Sequence, residues 1–203
     1  MPGAVLKVVQ AGEPVLRRRA RELTAEEISS PEVQQLIGFM RDTMRDSPGV
    51  GLAAPQVGVG VRLVVVEDRP EYQAGLPAED LAMRERKPVD FHVLINPKLV
   101  VEDATPAEFH EGCLSVSGFT ALVARARGVR VEALNEHGAP VSLSATGWYA
   151  RILQHEVDHL EGTLYVDRME PRSFATLDNH RRYWAGRSVA EVRKALGLPE
   201  RQG

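Results

Sequence analysis

The stretch QHEVDHLEG at 154–162 sets His155 and His159 four residues apart, with Glu156 directly after the first. On a helix, residues i and i+4 share a face, so both imidazoles can be aimed at one divalent ion. Glu156, turned by about 100° from His155, can reach a water beside that ion. The competing reading is an ordinary polar helix face. Against it, the histidines share their face with Ile152 and Trp148, and buried polar groups need partners.

Two histidines call for a third ligand. One known spacing puts a third histidine six residues after the second. Gly162 fits that pattern, but the ligand position holds Tyr165. Glu170 and Glu191 are downstream carboxylates outside any recognisable motif. Upstream, HEGCLSVSG contains the chain's one cysteine, Cys113. A lone cysteine on its own reads as a small buried hydrophobe. Beside a histidine pair it becomes a thiolate candidate, and one Cys with two His leaves a fourth position for water, as in catalytic sites. Gly112 next to it allows close backbone approach, and His110 and Glu111 read as ordinary polar neighbours. A metallopeptidase with a different third ligand and a structural metal module without turnover both stay open here.

These residues must be carried by elements that the rest of the chain supplies. With 203 residues, 43% hydrophobic and 26% charged, the chain fits one domain with a proper core. A net charge of −3 gives no general attraction to nucleic acid or anionic lipid. No apolar run approaches membrane-spanning length. One cysteine excludes an internal disulfide and points to a reducing compartment. The opening MPGAVLKVVQAGEPVLRRRA has no continuous apolar core, and Glu13 and Glu22 flank the arginines, so a mature cytoplasmic protein is expected.

Thr24 with Glu27 forms a capping box, and Ser30 with Pro31 starts a helix that DSPG ends. GVGLAAPQVGVG reads as loop, and a phosphate loop is excluded because no lysine follows in the required place. A buried strand is expected at 61–67, a surface insertion at 68–90, and further strands at 91–95, 98–102, 119–125, 129–134 and 140–145, with NEHG turning the last pair. The histidines fall on a helix at 147–161. Two tail helices follow, in SFATLDNHRRYW and in SVAEVRKALGLP, the latter with Ser188 and Glu191 as a capping box. The order predicts an α+β fold: antiparallel or mixed sheets packed around a central helix carrying H-E-x-x-H, an N-terminal helix, and a C-terminal helical tail.

GVGLAAPQ (49–56), EGCLS (111–115) and QHEVDHLEG together, in this order and spacing, resemble the three signature motifs of peptide deformylases. GEPVLR, LINPKLV and GWYARILQHE extend the resemblance over about residues 5 to 170. It implies removal of the formyl group from N-terminal formylmethionine of nascent chains, with release of formate. It further implies Cys113, His155 and His159 as metal ligands, and Glu156 as general base. Gln56 and the Leu114 N–H would face the substrate carbonyl, and Val50, Gly51 and Gly112 would line the peptide groove. Val50 and Leu153 are candidates for the methionine slot. The implied ion is Fe2+, with Zn2+, Ni2+ or Co2+ as substitutes.

One departure is Thr120, where many bacterial members carry arginine. The SGF stretch, the 68–90 insertion and YVDRMEPRSF look closer to organelle-type members. A single catalytic domain is expected over 1–170, with 171–203 as a helical tail, as monomer or homodimer. From Arg168 onward there are eight Arg/Lys against four acids. That is either a solvated helix face or, as the resemblance implies, a transient contact with ribosomal RNA. No membrane partner is expected.

Overall fold

The computed structural model describes residues 4–199. Expectations that fall on residues 1–3, and on Glu200 and Arg201 of the tail, lie outside the described residues. The elements, in chain order, are the helices α1 (Ala25–Ile28), α2 (Pro31–Asp46), α3 (Ala78–Met83), α4 (Gly147–Leu160), α5 (Leu177–Tyr183) and α6 (Val189–Ala195), and the strands β1 (Gly51–Ala53), β2 (Leu63–Asp68), β3 (Val89–Cys113), β4 (Val116–Leu134), β5 (Pro140–Thr146) and β6 (Ala175–Thr176). The strands run in the order β1-β2-β3-β4-β5, with β6 joined to β4. Every pairing between these strands is antiparallel. The expected α+β class holds, and of the two sheet types it is the antiparallel one; the only parallel pairing among the described residues is an isolated bridge, Arg21 to Val61.

Local signals set the helix starts. Thr24 and Glu27 exchange side-chain and backbone bonds as a capping box, and the Ser30 hydroxyl accepts from Val33 N–H with Pro31 behind it. The apolar stripe of α2 then buries Ile37, Met40 and Met44. Strand β2 explains how the sheet is held. All six of its residues are buried. Side chains alternate faces along a strand. Leu63 and Val65 pack with Met40 and Met44 of α2, while Val64 and Val66 pack with Leu153 and Leu160 of α4. The sheet is therefore covered on both sides at β2, and its apolar run is continuous rather than alternating. The run ends in two buried carboxylates: Glu67 receives Arg45 at 2.7 and 2.6 Å, and Asp68 receives Arg86 at 2.8 Å through both oxygens.

Four expectations need correction. The glycine-rich 49–60 stretch is not all loop: Gly51–Ala53 is a strand and Ala54–Val57 a 3-10 turn, because backbone pairing with β2 outweighs the weak strand propensity of glycine and alanine. The 68–90 insertion contains α3, whose Leu81 and Met83 sit among polar residues and leave little amphipathic signal. The strands expected at 91–95 and 98–102 are parts of one 25-residue strand, with a register shift against β4 between Ile95 and Lys98, and those expected at 119–125 and 129–134 are both parts of β4. SFATLDNHRRYW is not one helix: Ala175–Thr176 pairs with Phe119–Thr120, and the Thr176 hydroxyl then caps a helix of only seven residues.

The tail rests on the sheet domain. Glu170 N–H donates to Leu122 O at 2.8 Å, and the Ser173 hydroxyl accepts from Leu122 N–H at 2.8 Å. Farther along, the Arg193 guanidinium meets the Glu108 carboxylate at 2.8 Å with both side chains buried.

Candidate metal centre

Helix α4 carries His155, Glu156 and His159, and its start is fixed from outside. Gly147 has φ +58°, and a Cβ there would meet the Arg84 carbonyl at 2.7 Å. The same carbonyl accepts the Trp148 N–H at 2.8 Å. Only a residue without a side chain allows the insertion to close this tightly on the helix. About two and three turns later, His155 and His159 hold their rings 4.9 Å apart, centroid to centroid.

Cys113, the last residue of β3, comes to meet them. One ligand atom from each of Cys113, His155 and His159 lies within 4.8 Å of the others. The Cys113 sulfur stands 3.3 Å from His159 Nε2. The ring nitrogen Nδ1 of His155 faces Glu111 Oε2 at 3.1 Å, which leaves Nε2 for the centre. One thiolate and two imidazoles are a donor set for zinc or iron-type divalent ions. One buried atom with no partner among the described residues fits such an occupant: Glu156 Oε2.

Charge around the centre is arranged by burial and arginine. Burial pushes the Glu156 carboxyl up to about 7, against the pull of His155. Burial alone would also raise Glu111, but hydrogen bonds from His155 and Arg125 hold it well below the usual carboxylate range. Burial works against a charge on His155, yet its bonds to Cys113 and Glu111 hold it well above the ordinary histidine value. Burial, then the neighbouring His155, pushes His159 well below it. Arg125 binds Glu111 through two nitrogens at 3.0 Å and also bonds Asp158; Arg151 bonds Glu111 and the Val123 carbonyl.

Other expected site residues converge on the same place. Gln56 is buried; its Oε1 accepts Ala53 N–H at 2.9 Å, and its Nε2 donates to Cys113 Sγ at 3.5 Å and Ser115 Oγ at 3.4 Å. The Leu114 N–H meets no acceptor among the described residues. A cleft of about 390 Å³ opens on Cys113, His155 and Glu156, lined in part by Val50, Gly51 and Gly112. Leu153 is not in it: it is fully buried in the core beneath α4, and Ile152 and Trp148 line the cleft instead. Glu191 caps α6, away from the centre, whereas Tyr165 is buried beside it with its ring stacked 6.4 Å from His155.

Glu111 is the residue whose sequence reading needs correcting. It is no ordinary polar neighbour but a buried bridge between His155 and two arginines. Strand alternation gave no clean signal, because the register against β4 shifts between Glu111 and Cys113. Arg125 and Arg151 had no signal either, being charged residues in stretches that otherwise read as core. Thr120 is buried, its hydroxyl donates to the Glu111 carbonyl at 2.7 Å, and it does not line the cleft.

The chain is similar in sequence and fold to known proteins. The polypeptide deformylase family profile matches residues 5–175. Peptide deformylase 1A, chloroplastic, of Solanum lycopersicum is 47% identical over 87% of this chain, and this chain spans 64% of that relative's length. Peptide deformylase 3 of Streptomyces avermitilis is 45% identical over 97% of this chain and 85% of its own. Among solved structures, the class I type b peptide deformylase of Acinetobacter baumannii bound to Met-Ala-Ser superposes with a TM-score of 0.73. It is 35% identical, covering 82% of this chain and 99% of that one.

Proposed function

We propose, on the premise that this chain belongs to the polypeptide deformylase family, that it removes the formyl group from N-terminal formylmethionine of nascent polypeptides. That family is metal-dependent, and the observation that carries the reading is the meeting of Cys113, His155 and His159 beside the partnerless Glu156 oxygen in an open cleft.

On this reading Cys113, His155 and His159 hold one divalent ion. When bound, the ion supplies a Lewis acid and lowers the pKa of water toward ~7. Fe2+ is proposed as the resident ion, with Zn2+, Ni2+ or Co2+ able to replace it. Glu156 takes the proton from the attacking water on its carboxylate. It then delivers that proton to the methionine nitrogen as the C–N bond breaks and formate leaves. Gln56 Nε2 and the Leu114 N–H donate to the formyl oxygen as negative charge develops there. One such donor typically contributes ~2.7–4 kcal/mol. Glu111 orients His155 through Nδ1, the usual outer partner of a metal-bound imidazole.

Val50, Gly51 and Gly112 line the groove in which the peptide lies, extended beside β1 as an added strand. The methionine side chain enters the apolar part of the cleft, against Ile152 and Trp148. We read α4 as the hub of a catalytic unit over 1–170, with 171–203 as a tail upon it. The exposed Arg181, Arg182 and Arg187 of that tail support a transient contact with ribosomal RNA, with a steep salt dependence. No helix among the described residues is long and apolar enough to cross a membrane. The free thiol of Cys113 supports a reducing compartment, for which we propose the bacterial cytoplasm.

The test is oxygen-free purification, metal analysis, and formate release from formyl-Met-Ala-Ser. Metal bound without formate release would leave a structural metal module in its place.

A further inference from the structure

Nine large apolar side chains stay exposed among the described residues, and three of them stand together at one end of the cleft: Phe119, Phe174 and Leu177. Phe119 and Leu177 line the cleft itself. The rings of Phe119 and Phe174 stack at 4.9 Å, nearly parallel at 7°. Scattered exposed apolar residues need no explanation, but a contiguous group beside a binding cleft marks a contact surface.

The group is also held rigidly. Pairing of β4 with β6 sets Phe119 opposite Thr176 and Thr120 opposite Ala175. The Ser173 hydroxyl, anchored between Leu122 N–H and Glu170 O, fixes the chain immediately before Phe174. Thr176 then caps α5, which starts with Leu177. Two elements far apart in sequence are thus joined so that a flat aromatic face continues the cleft wall. A preformed surface of this kind costs little ordering on binding.

We propose that Phe119, Phe174 and Leu177 form a subsite for a large apolar side chain of the peptide downstream of its N-terminal methionine, so that the tail segment shapes substrate preference. The occupant follows from continuity: a peptide whose methionine lies in the cleft must run out along one of its walls, and Phe119, Phe174 and Leu177 make this one apolar. The inference rests on the deformylase reading for the peptide's direction, and it can fail separately.

The experiment measures binding of unformylated tetrapeptides to the metal-loaded full chain by calorimetry. Met-Ser-Ser-Ser is compared with peptides carrying Phe at position two, three or four. One Phe peptide should bind about three- to tenfold more tightly than the all-serine peptide. In Phe174→Ala and in Leu177→Ser that advantage should shrink to about twofold or less, whereas Phe174→Leu should keep most of it. The advantage is a ratio within each variant, so general damage lowers all peptides alike and leaves it intact. If no Phe position gains in the wild type, or if the gain survives both truncations, the subsite does not exist. Failure to release formate from formyl-Met-Ser-Ser-Ser, with the binding ratio intact, would overturn the deformylase reading and not the subsite. In steady state the same truncations should raise KM for the favoured formylated peptide with kcat little changed, the mark of uniform binding.

Discussion

The backbone of Gly51 lies directly against the side chain of Glu156: a Cβ at position 51 would stand 2.7 Å from Cδ and 2.8 Å from Cγ of that glutamate. Strand β1 and helix α4 approach so closely here that the carboxylate occupies the space a side chain would need. Gly51→Ala should displace Glu156 and lower kcat/KM by about 10²-fold, the cost of a small misplacement of a reacting group. Metal content should stay at the wild-type level, because none of the three ligands is touched. Wild-type turnover in this variant would detach Glu156 from the reaction.

Glu156→Ala should retain the ion and lose activity by about 10²–10⁴-fold, the usual contribution of a positioned acid–base group. Metal analysis beside formate release separates this from site collapse. Unchanged turnover would overturn Glu156 as the acid–base group.

Glu111→Gln keeps the shape but removes the charge that faces His155 Nδ1, Arg125 and Arg151. Metal affinity, measured by competition with a chelating dye, should weaken by about 10–100-fold. Cys113→Ser should weaken it further. A Cys113→Ser protein that binds as tightly as wild type would mean a third ligand other than sulfur.

Burial, followed by the nearby His180 and Arg84, pushes His110 down to about 4. The unfolded chain, with a value near 6.5, binds the proton first as pH falls. His110 therefore costs no stability above pH ~6.5, and stability is lost progressively from there down to about 4. In His110→Phe the fall over that window should be shallower, as read from urea midpoints at several pH values. Parallel wild-type and variant profiles would contradict the assignment.

Arg193→Ala removes one member of the buried ion pair with Glu108. Breaking such a pair costs about 3 kcal/mol or more. If the tail is an integral layer on the sheet domain, the whole thermal transition should shift down as a single event. A low-temperature step confined to part of the signal would show the tail melting by itself.

The histidine pair was legible because it lies on one helix, where spacing in sequence is spacing in space. Cys113 was legible by its rarity, and the caps of α1, α2 and α6 by their local chemistry. Sequence spacing did not show what crosses between elements. Glu111 and Arg151 meet across 40 residues, and Arg125 and Asp158 across 33, which no local pattern encodes. Strand β1 was missed for a similar reason: Gly51-Leu52-Ala53 is extended because β2 offers it a partner, not because its residues favour strands. Leu153, which a methionine slot or core packing could equally explain, lies in the core, because it is turned by about 100° from Ile152, which faces the cleft.

The closure of the insertion onto Gly147 has an evolutionary corollary. The loop-like segment that looks freest to drift in length sets the axial position of the helix whose imidazoles lie about two and three turns further on. Additions or deletions between Arg69 and Pro88 that move the Arg84 carbonyl would slide the ring nitrogens away from the sulfur, so this outlying excursion is held to account by chemistry it never touches.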